Sequence, residues 1–188
     1  MRTTLQYFLF QQPRIWKYGL LSDIRELRGK ALLRQPVLFT GNGTVILGKD
    51  VVLGVRHSPG FLSGYSYIEA RQPGACVEIG DRVWANNNLS IISNGSRIVV
   101  GPDTLVGANV EILDSDFHGI CASSRRSDRV PSAPVQIASN VWIGSNVTIL
   151  KGVSIGRNSV IANGSLVVES IPENVIAGGV PARIIGDA

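Results

Sequence analysis

Side chains with reactive chemistry are few in this chain, and they narrow what it can do. It holds two histidines, His57 and His118, and two cysteines, Cys76 and Cys121. No CxxC pair or Cys/His cluster occurs, so a structural zinc site is not indicated. A metal centre of three histidines cannot be built from two. Two cysteines make no disulfide framework in a chain of 188 residues, and a reduced, cytoplasmic setting is the expectation. His118 and Cys121 both fall in residues 113–134, LDSDFHGICASSRRSDRVPSAP, a polar and Ser-rich stretch in which Cys121 reads as a plain loop residue. A loop of this length inside a regular architecture is either functional or disordered.

The elements that must carry this loop announce themselves as a repeat. Read in sixes, residues 137–172 are IASNVW, IGSNVT, ILKGVS, IGRNSV, IANGSL and VVESIP. The first position is Ile five times and then Val. A period of six is far from any multiple of 3.6, so an amphipathic helix cannot produce it. The same frame runs upstream through IGDRVW, ANNNLS and IISNGS at 79–96, slips by three residues near Arg97–Val99, and resumes with VGPDTL and VGANVE at 100–111. Earlier fragments are LGKDVV and LGVRHS at 47–58, whereas YIEARQ and PGACVE at 67–78 keep the spacing but not the residue preferences.

Each six reads as a short strand plus a corner, and three sixes close a triangular coil. First-position aliphatics point inward and stack from coil to coil, each Ile worth roughly 1.5–3 kcal/mol when buried. Fifth positions sit near corners, where small or β-branched residues fit, and His57 occupies one. Gly144, Asn146, Gly156 and Asn158 are expected to supply the left-handed backbone of the corners. The fold class is therefore all-β, a parallel β-helix of hexapeptide repeats over 36–188. Residues 113–134 form its protruding loop, PGFLSGYS at 59–66 makes a smaller break, and residues 1–35 are a short N-terminal extension. In that extension SDIRELRGK is expected to form a short helix with Ser22 as its N-cap. The tail ENVIAGGVPARIIG lies beyond the last clear coil.

Composition agrees with thin strands and tight corners: 44% hydrophobic, 17% charged and only 6% aromatic. The net charge of +4 is uneven, since residues 1–35 hold Arg2, Arg14, Lys17, Arg25, Arg28, Lys30 and Arg34 against Asp23 and Glu26. This segment is open to two readings: a solvated helix, or peripheral contact with an anionic membrane surface or an acidic glycan. No basic stripe is interleaved with aromatics, so nucleic acid is not an expected partner. The start, MRTTLQYFLFQQP, lacks the apolar run of a signal peptide, and no apolar stretch approaches 18 residues.

The repeat, the His-bearing loop and the closing G-x-P-A-R segment together resemble the hexapeptide-repeat acyltransferases. Among these the chain is most similar to the maltose, galactoside and polysaccharide O-acetyltransferase group. The matching stretches are VWANNNLSIISNG, GPDTLVGANVEIL with DSDFH, VQIASNVWIGSNVTILKGVSIGRNSVIANGSLVV, and IPENVIAGGVPARIIG, roughly residues 45–186. The resemblance implies a left-handed winding, a homotrimer with sites between subunits, and transfer of acetyl from acetyl-CoA to a saccharide hydroxyl without a metal. It makes His118 the general base, with Asn86 and Asn94 at the acceptor. Asp114 and Asp116 would orient the imidazole or bind acceptor hydroxyls, or else form turns. Trp142, Ser145, Ala162, Asn163 and Arg183 would meet the CoA. The chain departs from many relatives at Asn94, where they are acidic, at Val168–Glu169, where they have Thr-Lys, and at Gly186, where they have a second basic residue; Lys151 is a further cation within reach of this argument.

Two other readings remain open to test and a third is rejected. The acceptor could be serine, an amino-sugar nitrogen or a xenobiotic hydroxyl, although serine acetyltransferases carry a larger helical leading domain than 1–35 can supply. A γ-carbonic-anhydrase-type metal enzyme shares the fold but needs a third histidine. A non-catalytic scaffold would have no use for His118, Asn86 and Arg183 together.

Overall fold

Three parallel sheets form the walls of a three-sided coil, each taking every third strand, in the computed structural model that describes residues 5, 7–126 and 130–188. Arg2 and loop positions 127–129 lie outside the described residues. The first sheet has six strands, from Glu26–Arg28 to Ser154–Ile155. The second has eight, from Ala31–Leu33 to Ala182–Asp187, and the third six, from Val37–Thr40 to Leu166–Val167. Strand pairing is parallel except in the closing hairpin of Val175–Gly179 with Ala182–Asp187. That hairpin extends the second sheet and ends the coil.

The period-six reading holds at the level of single side chains. Along the third sheet Ile68, Ile91, Ile112, Ile149 and Val167 are in register, and along the second Val106, Ile143, Ile161 and Ala177. All nine are buried, so the core is a set of apolar ladders running through the coil. Fifth positions Val141, Val147 and Val153 are buried too. Where that position is Ser, the hydroxyl donates to a carbonyl: Ser159 to Pro172 at 2.7 Å, and Ser165 to Ala162 at 2.6 Å.

Corners use two devices where one was expected. The fourth-position asparagines are left-handed, with φ of 57° at Asn146 and 62° at Asn158. Their amides hydrogen-bond from coil to coil. Asn88 donates to Asn109 and Asn109 to Asn146 at one corner; Asn140 donates to Asn158 and Asn158 to Asn174 at another, all within 2.8–3.0 Å. Gly144 and Gly156, in contrast, have no left-handed backbone, and their reason is space. A Cβ on Gly144 would lie 2.3 Å from Asn163 Oδ1, and one on Gly156 2.3 Å from Glu173 N. Glycine there lets adjacent coils approach.

The slip of the frame near Arg97–Val99 marks the corner between the third and first sheets. Residues 71–75, 94–96 and 114–134 leave the coil at that one corner in successive turns. Arg71 N–H bonds to the Ser93 carbonyl and Cys76 N–H to the Ser96 carbonyl, each within 2.9 Å, which stacks them. The longest, residues 114–134, is pinched at its base by an antiparallel bridge between Ser115 and Ser132.

At the other end the coil starts before position 36. Glu26–Arg28 and Ala31–Leu33 already pair in parallel with Thr44–Ile46 and Val51–Leu53. The helix of this region is Gln12–Leu21, and SDIRELRGK is not helical. Ser22 caps the helix at its C-terminus, its hydroxyl donating to the Tyr18 carbonyl (2.8 Å) and accepting from Phe39 N–H (3.0 Å). Edge pairing against residues 44–46 outweighs the weak local helix preference of a segment broken by Gly29. The helix packs on the loop that contains the break at 59–66. Gln11 and Arg14 donate to the Phe61 carbonyl, Arg14 also to that of Gly64 (2.6 Å), and Tyr18 packs on Tyr65. Among the described residues no helix is long and apolar enough to cross a membrane.

Candidate functional site

His118 stands at the rim of a cleft of about 510 Å³ beside the third-to-first corner. Arg71, Gln72, Asn94, Phe117 and Arg126 line it with the imidazole. Phe117, one residue earlier, has φ of 60°, a left-handed conformation that is strained for a bulky side chain. Its N–H bonds to Ser115 Oγ at 3.2 Å, and its ring lies 4.9 Å from the Arg71 guanidinium carbon. This kink presents the exposed His118 ring beside the cleft. His118 Nδ1 lies 3.2 Å from the Arg125 carbonyl oxygen. A carbonyl only accepts, so this contact calls for a proton on Nδ1; in the neutral ring that leaves the Nε2 lone pair for a general base.

Asp114 is fully buried and serves the scaffold of this cleft. Its carboxylate accepts from the backbone N–H groups of Asn94 (2.6 Å), Gly95 (3.3 Å) and Ser96 (2.8 Å) and from Ser93 Oγ (2.9 Å). Those bonds hold the 94–96 turn and leave nothing for an acceptor hydroxyl, so of the roles considered for Asp114 the turn is the one observed. Asp116 is ion-paired with Lys151, which ties the loop to the coil and occupies the cation considered for CoA phosphates. Neither aspartate bonds to His118.

A second cleft, of about 490 Å³, lies on the outer face of the second sheet. Its walls include Trp84, Asn86, Leu105, Trp142, Ser145 and Asn163. Trp84, Leu105 and Trp142 are in register on successive strands and are 44–57% exposed, an apolar ladder facing outward. Trp84 was not singled out from the sequence, yet the signal was there: IGDRVW ends in Trp as IASNVW does. The polar groups of this groove are partly committed. Asn163 Oδ1 accepts from Ser145 N–H at 2.8 Å, Ser145 Oγ from Ala108 N–H at 3.1 Å, and Asn86 Oδ1 from Asn87 N–H at 2.7 Å. This leaves the amide NH₂ groups of Asn86 and Asn163 and the Ser145 hydroxyl proton as donors. The backbone of Ala162 is also engaged: its N–H bonds to Ala177 O in the closing hairpin (2.8 Å) and its carbonyl accepts from Ser165 Oγ (2.6 Å). Arg183 is exposed, with Glu169 3.3 Å away.

The two clefts are on different corners of the prism, so one chain does not unite His118 and Asn94 with Asn86 and Trp142. The basic leading segment is also divided. Arg14 is bonded to loop carbonyls, Arg28 is paired with Glu26 at 2.7 Å, and Arg34 lies over Trp84 at 5.3 Å. His57, with φ of 64°, is an exposed corner residue on the loop that follows Val51–Leu53. Among the described residues no group of three or more His, Cys, Asp or Glu could hold a metal.

Residues 134–168 match the family model described as bacterial transferase hexapeptide (six repeats). The chain is 32% identical to WbbJ of Escherichia coli (strain K12), assigned by its name to lipopolysaccharide biosynthesis as an O-acetyl transferase, over 90% of each chain. It is 42% identical to the galactoside O-acetyltransferase of the same organism over 60% of this chain and 54% of that one. With this enzyme and two others matched at 40–44% identity, the aligned part spans just over half their length. A solved structure of a galactoside acetyltransferase in complex with coenzyme A superposes with a TM-score of 0.61 at 27% identity, covering 99% of this chain and 78% of that one.

Proposed function

The chain belongs to the hexapeptide-repeat acetyltransferases, and from that premise we propose that it moves an acetyl group from acetyl-CoA to a hydroxyl of a saccharide in surface-polysaccharide assembly. The observation that carries the reading is the placement of His118, an exposed imidazole lining a polar cleft with Nδ1 3.2 Å from the Arg125 carbonyl oxygen, which leaves Nε2 to act as the base in the neutral ring. The family's left-handed winding and trimeric assembly belong to the same proposal. A trimer would set the projecting loop of one subunit against the Trp84–Leu105–Trp142 face of the next, joining the two clefts that a single chain keeps apart.

The groove fits the donor. Trp142 and Leu105 offer an apolar wall for a flexible arm, the amides of Asn86 and Asn163 and the Ser145 hydroxyl offer donors, and the exposed Arg183, outside the groove lining and 3.3 Å from Glu169, is the cation considered for phosphate. When bound, acetyl-CoA supplies a thioester whose carbonyl carbon is the electrophile. His118 Nε2 takes the proton from the acceptor hydroxyl as its oxygen attacks that carbon, and it returns the proton to the departing sulfur as the C–S bond breaks. No covalent acyl-enzyme is needed, so Cys121, exposed and two residues beyond Gly119, has no part in the reaction. The free thiols Cys76 and Cys121 suit a reducing, cytoplasmic setting.

The test is thiol release from acetyl-CoA with a panel of saccharide acceptors. Wild type should show acceptor-dependent release, and His118→Ala should lower it by about 10²–10⁴-fold with little change in the KM for acetyl-CoA. Turnover on serine or another non-sugar acceptor instead would move the proposal to that acceptor class. Absence of both CoA binding and turnover would leave a scaffold.

A further inference from the structure

One polar cluster beside His118 has no part in the proton transfer. Tyr67, Glu69 and Arg71 alternate with the buried Ser66, Ile68 and Ala70, so they share the outer side of the strand Ser66–Ala70 and its exit. Tyr67 Oη donates to Glu69 Oε2 at 3.1 Å, and Arg71 donates to the same carboxylate through Nε (2.8 Å) and Nη2 (3.0 Å). Glu69 is only 8% exposed. Burial and the Glu69 charge push the Tyr67 phenol up to about 12, so it stays a donor, and the Glu69 hydrogen bond raises Arg71. Phe117 covers the guanidinium from the loop side.

Coil stability gives no reason for this arrangement, because a buried carboxylate is costly and an apolar side chain of similar size would serve as well. Its physical effect is to immobilise Arg71. One edge of the guanidinium, Nε and Nη2, is fixed by Glu69 and one face by Phe117. The Nη1 end of the fork remains for a ligand, and Arg71 lines the His118 cleft. Arg126 lines the same cleft from the loop, with Gln72 and Asn94, and no carboxylate is among the described lining residues. A preorganised guanidinium with a second nearby is suited to a carboxylate or phosphate, and poorly explained by a neutral sugar.

We propose that Arg71, assisted by Arg126, is a specificity-determining anion contact of the acceptor site, and that the acceptor is an acidic saccharide carrying a carboxylate or phosphate near the hydroxyl to be acetylated. The proposal rests on the acetyltransferase reading for turnover, but its binding arm stands apart from it.

The experiment uses the full chain and matched glucosides: neutral methyl glucoside, methyl glucuronide, glucose 6-phosphate, and the corresponding disaccharides. Each is measured for acetyl transfer and, separately, for binding by calorimetric titration. Wild type should favour the acidic members, and Arg71→Gln should weaken them by about 10–100-fold, the size of a charge-assisted hydrogen bond. The ratio of acidic to neutral binding should fall by that factor in the same variant, while Arg126→Gln, on an exposed loop, should lower it by a smaller factor. Preference between glucuronide and phosphate identifies the anion. If Arg71→Gln fails to fold because it orphans Glu69, the double variant Glu69→Gln/Arg71→Gln takes its place. Equal binding of neutral and acidic sugars by wild type, or equal loss of both in the variant, overturns the proposal. No turnover on any sugar would count against the acetyltransferase reading alone, and acidic-selective binding lost in Arg71→Gln would still uphold the anion site.

Discussion

At the scale of single residues, neighbours in sequence do different work. Asp114 and Asp116 flank one serine, yet the first is a buried clamp on the 94–96 turn and the second a tether to Lys151. Replacing Asp114 by Ala leaves three backbone N–H groups without their acceptor. The expected cost is about 3–5 kcal/mol, from hydrogen bonds to a buried charge, read as a lowered urea midpoint. Because the turn carries Asn94, acceptor KM should rise while CoA binding stays close to wild type. An unchanged midpoint would mean that water replaces the carboxylate. Asn94 stands where many relatives are expected to be acidic, and it shares its cleft with Arg71 and Arg126, the pair proposed to select an acidic acceptor.

At the scale of elements, the corners decide how well the coil is made. Asn158 combines a left-handed backbone with two ladder hydrogen bonds, to Asn140 and Asn174. Asn158→Ala should destabilise by about 1–3 kcal/mol, the sum of the left-handed penalty and the lost bonds. Asn158→Gly should recover about 1 kcal/mol of that, since glycine pays no left-handed penalty. Thermal unfolding of the pair separates backbone from ladder, and equal losses would assign everything to the ladder. The third-to-first corner behaves differently from the other two. Its turns are short at 71–75 and 94–96 and long at 114–134, and their stacking places Arg71, Asn94 and His118 in one cleft although they are far apart in the chain.

At the scale of the whole molecule, the outward apolar ladder of Trp84, Leu105 and Trp142 and the exposed Ile184 and Ile185 ask for a partner. Sedimentation at micromolar concentration should give three times the chain mass. A monomer would leave His118 and the Trp142 groove unjoined and remove the basis for a shared site. The sequence alone determined the coil, since a period of six in Ile and Val admits no helix and burial of each first-position side chain enforces the register. It also marked the loop that carries His118 and the Asn and Gly corners. It could not show that Gly144 is small for the next coil's sake, that Asp114 is consumed by a turn, or that the coil begins at Glu26. Nor could it reveal that YIEARQ, one of the two sixes that keep the spacing but not the residue preferences, holds the Arg71 cluster. Apart from the bonds between alternate residues inside the Arg71 cluster, those facts depend on contacts between residues about 18 or more apart in the chain, which the winding of the coil creates and local pattern does not record.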